Sequence, residues 1–425
     1  MSLILALNAG SSSLKISLYS RVSTEDIVQP LLTASVSSIQ SPPTSFELSA
    51  INSSSIKEEG IKTISDHSSA FAYFLHKVAQ STGIDKPHIR YVCHRVVHGG
   101  GYREPAKIDS DSYAHIEHLS NLAPLHNGAA LSVIKACLEQ LPNATSIAYF
   151  DTCFHKTIPP HIYSYAINQE IAKKRGLRKY GFHGLSYAYI LRATSQFLGK
   201  DPQQLNLIIL HLGSGASVCA VRNGASLDTS MGLTPLHGLP GSTRSGTVDP
   251  SLIFHYTNKA GKISHDPNLM VDVGVTQAED ILNRKAGWKT ITGTTNFKQI
   301  VEKADLLHPP ESAEDNPYTL AFHLFVDRLL DYIGAYHLKL GANVDALVFS
   351  GGIGERSPEL RHVVGRAIEC LHYQPVDLEK NRNVHVTSGN VMDIGLGEAR
   401  KGRLLVCRTD EQLEMARECA LNEQL

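Results

Sequence analysis

The sequence predicts an α/β protein in which one domain plan is used twice. Three observations carry that reading. A short apolar strand, Leu3 to Leu7, breaks at Asn8-Ala9-Gly10-Ser11-Ser12-Ser13 and is followed by a second strand-like run, Leu14 to Tyr19. The same strand–turn–strand pattern returns at Leu205 to Leu210, with the tip His211-Leu212-Gly213-Ser214-Gly215-Ala216-Ser217 and the run Val218 to Val221. Recurrence of a structural unit far along a chain is the mark of an internal repeat. Finally, a long helical pattern feeds the apolar strand Val344 to Phe349, a helix-to-strand unit of α/β type.

Each element has a local justification. Phe71, Phe74, Leu75 and Val78 fall at i, i+3, i+4 and i+7, one face of a helix, and Gly83 is its stop signal. Asn316-Pro317 starts the long helix, with Asn as cap and Pro in the first turn. The helix carries Phe322, Phe325, Val326, Leu329 and Ile333 and stops at Gly341. Thr409-Asp410-Glu411-Gln412 reads as a capping box opening the last helix. Residues 35–55 are rich in Ser around Pro42-Pro43 and read as an exposed hairpin tip or loop. A polar stretch from Asp151 that ends in Pro159-Pro160 marks a domain boundary.

The chain has 425 residues, enough for two large domains with full cores. Its 40 Lys+Arg balance 41 Asp+Glu, so no field of one sign exists to hold a nucleic acid or an anionic membrane. No run approaches the ~18 apolar residues of a membrane span, and the N-terminal apolar run is too short for a signal peptide. The seven cysteines are scattered and form no CxxC, which fits a reduced compartment; a cytoplasmic enzyme is the expectation.

Walker A, GxSxG and helix-opening GxGxxG motifs are absent. Instead, three Gly/Ser turns directly follow apolar strands: the two hairpin tips and Ser350-Gly351-Gly352-Ile353-Gly354-Glu355. Such turns present backbone N–H groups without side-chain bulk, which suits phosphate oxygens. One turn of this kind is more often just a turn; three in one chain are not. Other segments set Arg or His in apolar or Gly-rich surroundings: Cys93-His94-Arg95-Val96-Val97-His98-Gly99-Gly100, Leu122 to Asn127, Tyr180 to Gly184, and Pro240 to Gly246 around Arg244. Arg and His beside backbone N–H groups match the charge spread over a migrating phosphoryl group. A zinc site at His94, His98 and His126 is the alternative, but packing is the plainer role for His94 and His98.

Taken together, NAGSSSLK (8–15), HRVVHGG (94–100), LAPLHN (122–127), FDTCFH (150–155), YGFHG (180–184), HLGSG (211–215), SMGLTPLHGLPGSTRSGTVDP (230–250) and GGIGE (351–355) resemble, in order and nearly end to end, the acetate kinases. These belong to the acetate and sugar kinase, actin and heat-shock chaperone superfamily. The resemblance implies two ribonuclease H-like (actin-like) domains flanking a cleft, 1–154 completed by a C-terminal helix 412–425, and 155–411. It implies reversible, direct transfer of the γ-phosphoryl of ATP to acetate, giving acetyl phosphate and ADP, with Mg²⁺ and a homodimer formed through the second domain.

The same resemblance assigns roles. Arg95 and Arg244 would hold the carboxylate and the migrating phosphoryl, His183 would stabilise the planar transition state, and His126 would support it. Val97, Leu125, Phe182 and Pro235 would form the pocket for the methyl group, where one extra methylene is worth only about 1–3 kcal/mol. Asn8, Ser11, Ser13 and Lys15 would make the first phosphate-side turn. His211, Gly213, Ser214, Gly215, Asn296, Lys298 and Gly351, Gly352, Ile353, Gly354, Glu355 would contact the nucleotide. Asn8 and Glu411 would serve the metal. Asp151 matches an aspartate often described as a proton carrier, but a carboxylic acid of pKa ~4.3 needs no base at neutral pH. Asp151 is therefore expected to position metal-bound waters or Arg244.

Four departures gather on the nucleotide side. Ser214 replaces the Asn of HLGNG, His237 the Glu of TPLEGLP, and Arg356 the Asn of GIGEN. Asn296-Phe297-Lys298-Gln299 stands where DMRD is usual. Pyrophosphate or inorganic phosphate as the phosphoryl group's carrier, a propionate or butyrate acceptor, and a non-catalytic nucleotide-binding protein are the competing readings.

Overall fold

A computed structural model describes residues 2–10, 12–22, 27–39, 43–51, 55–119, 124–257, 276–312, 314–384, 389–398 and 401–422, with the backbone alone at 124–126. The chain forms two compact units. The first takes the described residues up to Cys153 and from Asp410 onward; the second takes those between Phe154 and Thr409.

Unit one holds β1 (Leu3–Ala9), β2 (Ser13–Arg21), β3 (Val28–Ser37), β4 (Ser45–Ala50), β5 (Ile56–Glu59), β6 (Ile89–Val96), β7 (Ala106–Lys107) and β8 (Thr145–Phe150). Their order in the sheet is β5-β4-β3-β2-β1-β6-β8-β7. β1 to β3 form an antiparallel meander, whereas β6 lies parallel to β1 and β8 parallel to β6. Leu3 to Leu7 are buried without a break, as a strand covered on both faces requires. Leu5, Leu7 and Val92 pack with Phe71 and Phe74 of the helix His67–Thr82 and with Val133 of Pro124–Gln140. On β6 the next residue, Cys93, meets the Met415 carbonyl of the helix Glu411–Leu421, which covers the other face.

Unit two repeats the plan. β9 (Leu207–Leu212), β10 (Ala216–Arg222), β11 (Ala225–Thr229), β12 (Ala346–Ser350), β13 (Val391–Asp393) and β14 (Arg403–Cys407) lie in the order β11-β10-β9-β12-β14-β13. Again three antiparallel strands are followed by two parallel ones. The inner five strands thus have the same order and sense in both units, the duplicated ribonuclease H-like architecture. The helix Pro317–Lys339 begins where the sequence predicts, with the Asn316 side chain accepting from the Tyr318 and Thr319 N–H groups. It puts Phe322, Phe325 and Leu329 in the core of this unit.

Two expectations are corrected. Within the Ser-rich stretch, residues 35–37 and 45–50 are strand, so the feature is a hairpin and not a loop: β3 and β4 pair antiparallel, with Val36, Phe46 and Leu48 buried and Ser37, Glu47 and Ser49 exposed. Serine content hid a two-residue alternation that a half-buried hairpin allows; Pro42, at its tip, lies outside the described residues. The cap of the last helix is Asp410, not Thr409. The Asp410 carboxylate accepts the Leu413 N–H at 2.8 Å, so Glu411 is the first helical residue.

Among the described residues no helix is long and apolar enough to cross a membrane.

Candidate active site

In unit one, four strand and helix ends bring their side chains to one place. Asn8 sits near the end of β1, Arg95 near the end of β6, Asp151 directly after β8, and Glu411 at the start of the last helix. Arg95 grips Asp151 in a two-point fork, Nε to Oδ1 at 3.2 Å and Nη2 to Oδ2 at 2.7 Å. Its Nη1 donates to Glu411 Oε2 at 2.8 Å and lies 3.4 Å from Asn8 Oδ1, while Asn8 Nδ2 donates to the same Glu411 oxygen at 2.7 Å. Asp151 is fully buried, so the planar fork supplies the paired hydrogen bonds a buried carboxylate needs. Burial alone would lower the Arg95 pKa, but Asp151 and Glu411 outweigh it and hold the group above its ordinary value.

The turn after β1 is braced from behind. Gly10 N–H donates to the Ser13 carbonyl at 2.8 Å, and His67 Nε2 lies 2.7 Å from the Gly10 carbonyl. Lys15 is exposed on β2. Ser11 lies outside the described residues, as do the side chains of Leu125 and His126. Val97 is half-buried. Asn127 clamps the His98 backbone, its Oδ1 accepting from His98 N–H and its Nδ2 donating to His98 O, both at 3.0 Å. His94 and His98 are buried. Burial pushes His94 down to about 3, so the ring is neutral.

Unit two supplies a second constellation. His183 caps the helix Gly184–Leu198 in the left-handed region (φ 58°), an uncommon conformation for a residue with a Cβ. Its ring stacks on His211 with centroids 4.2 Å apart. The turn Gly213-Ser214-Gly215 joins β9 to β10, and a Cβ on Gly215 would stand 3.1 Å from Arg244 Nη1 and 3.9 Å from His183 Nε2. The Arg244 loop is pinned on two sides: Ser242 N–H donates to Ser214 O at 2.9 Å and Trp288 N–H to Gly241 O at 3.2 Å. Among the described residues no acceptor or carboxylate pairs with Arg244, and burial lowers its pKa to about 10. Phe182 and Pro235 are buried nearby in sequence, the first at 1% exposure.

The third Gly-rich turn behaves as its sequence suggests. Gly351 adopts φ +75°, and a Cβ there would stand 2.6 Å from the Leu212 carbonyl, so only glycine fits. Glu355 folds back, its Oε1 accepting from Gly351 N–H at 3.1 Å and Thr409 N–H at 3.3 Å; burial raises its pKa. Gly352, Ile353 and Gly354 lie in the short helix Gly351–Arg356. Sequence reasoning missed Arg361, which is 1% exposed and binds Asn381 Oδ1 and the carbonyls of Gly354, Glu355 and Asn381 at 2.7–2.9 Å. Asn296 is occupied as a helix cap, and the Lys298 ammonium is largely exposed, 3.7 Å from Glu302. His237 places Nδ1 3.0 Å from the Ser230 carbonyl.

The acetokinase family profile matches residues 3–417. The chain belongs to the acetokinase family. It is 46% identical, over 99% of its length and 98% of the relative's, to a protein named "Probable acetate kinase" from Emericella nidulans. It is also similar to the crystal structure of a propionate kinase from Francisella tularensis (31% identity, TM-score 0.81, 98% of this chain and 99% of that one). A similar match is the Porphyromonas gingivalis acetate kinase (30% identity, TM-score 0.79, 99% and 100%). Apart from Glu411, both constellations fall on motifs that carry the family resemblance.

Proposed function

We propose that this chain is an acetate kinase, transferring the terminal phosphoryl of ATP reversibly to acetate and releasing acetyl phosphate and ADP. One observation supports it above the others: Arg244 holds a cation against a backbone turn, beside His183, with no carboxylate among the described residues to neutralise it. A half-buried guanidinium with no carboxylate partner among the described residues is costly in the resting protein, and an anionic substrate would offset that cost.

The chain's own residues divide the work. Arg244 and His183 stabilise charge on the equatorial oxygens of the migrating phosphoryl. Arg95, held by Asp151 and Glu411, orients the acetate carboxylate. Val97, Leu125, Phe182 and Pro235 are the apolar residues that the family resemblance assigns to the methyl group. Asp151 keeps the Arg95 fork in place and moves no proton. The turns at 10–13, 213–215 and 351–355 receive phosphate and nucleotide.

The donor set suits Mg²⁺. Glu411 and Asn8 offer only oxygen among their ligating atoms, and Glu411 spends one carboxylate oxygen on both Asn8 and Arg95. Among the described residues no group of three or more His, Cys, Asp or Glu is arranged to hold a metal. A cation that keeps waters and takes substrate phosphate oxygens fits such a sparse set. Bound there, it would neutralise phosphate charge. We also propose a cytoplasmic homodimer.

A second reading has a specific support. Asn296 serves as a cap and Lys298 is exposed, on the side where the sequence departs from the family. Pyrophosphate is therefore tested beside ATP. Acetate with hydroxylamine and each of ATP, pyrophosphate or no donor is expected to give acetyl hydroxamate with ATP alone. Hydroxamate with pyrophosphate alone would replace the donor, and none with either would overturn the kinase.

A further inference from the structure

His183 and His211 are held by the same device. Ser217 and His211 face each other across the β9–β10 pair, so their side chains share one face of the sheet, the face on which His183 stacks. His183 Nδ1 lies 2.8 Å from Ser217 Oγ, and that oxygen is hydrogen-bonded in turn to the Tyr187 hydroxyl. His211 Nδ1 lies 2.7 Å from Ser186 Oγ, which is 2.8 Å from Thr409 Oγ1. Ser217, Tyr187 and Ser186 are each 0% exposed. Tyr187 follows His183 by four residues, so one helical turn brings its ring beneath the cap residue.

We infer that Tyr187 and Ser217 are positioning residues that hold His183 with its proton on Nε2. A phenol is a stronger donor than an aliphatic hydroxyl, so Tyr187 donates to Ser217 Oγ. Ser217 has one hydrogen, which then goes to His183 Nδ1, and an accepting Nδ1 leaves the imidazole proton on Nε2. Hydrogen bonds polarised in one direction reinforce each other in a buried site. His183 Nε2 is the ring atom on the side of Gly215 and Arg244. The relay thus presents an N–H donor there, and it braces a residue whose left-handed backbone offers no conformational preference of its own.

The inference rests on the acetate-phosphorylating reading for its kinetic consequence and on geometry alone for the tautomer. Tyr187→Phe and Ser217→Ala each remove one hydroxyl. Both variants are expected to lower kcat about 10- to 100-fold by misplacing the ring, with KM for acetate and ATP within about twofold. The double variant should lose no more than Ser217→Ala alone. Nitrogen-15 NMR of histidine-labelled wild type is expected to show His183 protonated at Nε2, with Nδ1–H growing in both variants. His183 protonated at Nδ1 in the wild type would overturn the inference, as would variants with unchanged kcat. Absence of acyl phosphate from the wild type would instead defeat the reading of the reaction, and the NMR result would still decide the tautomer.

Discussion

Arg95 and Arg244 are the same residue type in opposite circumstances. Arg95 neutralises Asp151, so removing it takes the paired cation from a fully buried carboxylate. Arg95→Met is expected to cost about 3–5 kcal/mol of stability as well as activity, measured by urea unfolding. Arg244 pairs with no carboxylate among the described residues, and its depressed pKa means that the folded state disfavours its charge. That penalty is fully present below pH 10, so its removal costs no stability at neutral pH. His94 gives a pH dependence of known sign. Its folded pKa near 3 lies below the unfolded value of about 6.5. The unfolded chain therefore binds a proton that the folded chain refuses, and stability falls as pH drops from about 6.5 towards 3, by up to about 1.4 kcal/mol per pH unit. His94→Phe should flatten the guanidinium-derived stability profile across that window; an unchanged slope would remove His94 from the account. Arg95, Arg244 and His183 were legible in the sequence because chemistry-bearing residues stood in unusual surroundings. Ser217, Tyr187 and Arg361 were not, since a serine in a strand and an arginine in an amphipathic helix look ordinary until their partners are known.

At the scale of elements, the turns were read correctly because their grammar is local. Gly351 needs a positive φ and a missing Cβ, and both follow from a glycine directly after a buried strand. What fixes that turn is distant. Arg361, on the helix Pro358–Ala367, holds the last carbonyls of Gly351–Arg356 and ties them to Asn381. Its charge is offset by those carbonyl dipoles and the Asn381 amide, although burial still lowers its pKa to about 10. Arg361→Met strips several buried acceptors at about 1–3 kcal/mol each. The expected outcome is a loss of 3 kcal/mol or more by about that reckoning, with a raised KM for the nucleotide and little change in KM for acetate. A rise in KM for acetate alone would place Arg361 with the other substrate. The hairpin of β3 and β4 shows the opposite failure, where composition masked periodicity: Val36, Phe46 and Leu48 alternate inward through a run that reads as serine loop.

Across the whole molecule, duplication was visible only as two similar hairpins, yet five strands repeat in order and sense. The parallel strands β6, β8, β12 and β14 are joined through long connections, so their pairing leaves no short-range signature. The same holds for the last helix, which returns Glu411 to Asn8 and Arg95 from the far end of the chain. Charge balance over the chain is near zero, and the cations proposed to act are distinguished by their partners, not their number. Arg95 is paired and Arg244, among the described residues, is not, and on the proposed function the two divide the labour of handling charge. The most direct test of that division is ATP formation from ADP and acetyl phosphate by the wild type and Arg244→Met, with Tm recorded on the same samples. The expected result is ATP from the wild type, a rate about 10³-fold lower in the variant, and a Tm unchanged or about 2–4 °C higher. A variant that keeps its rate, or one that loses both rate and several degrees of Tm, would contradict it.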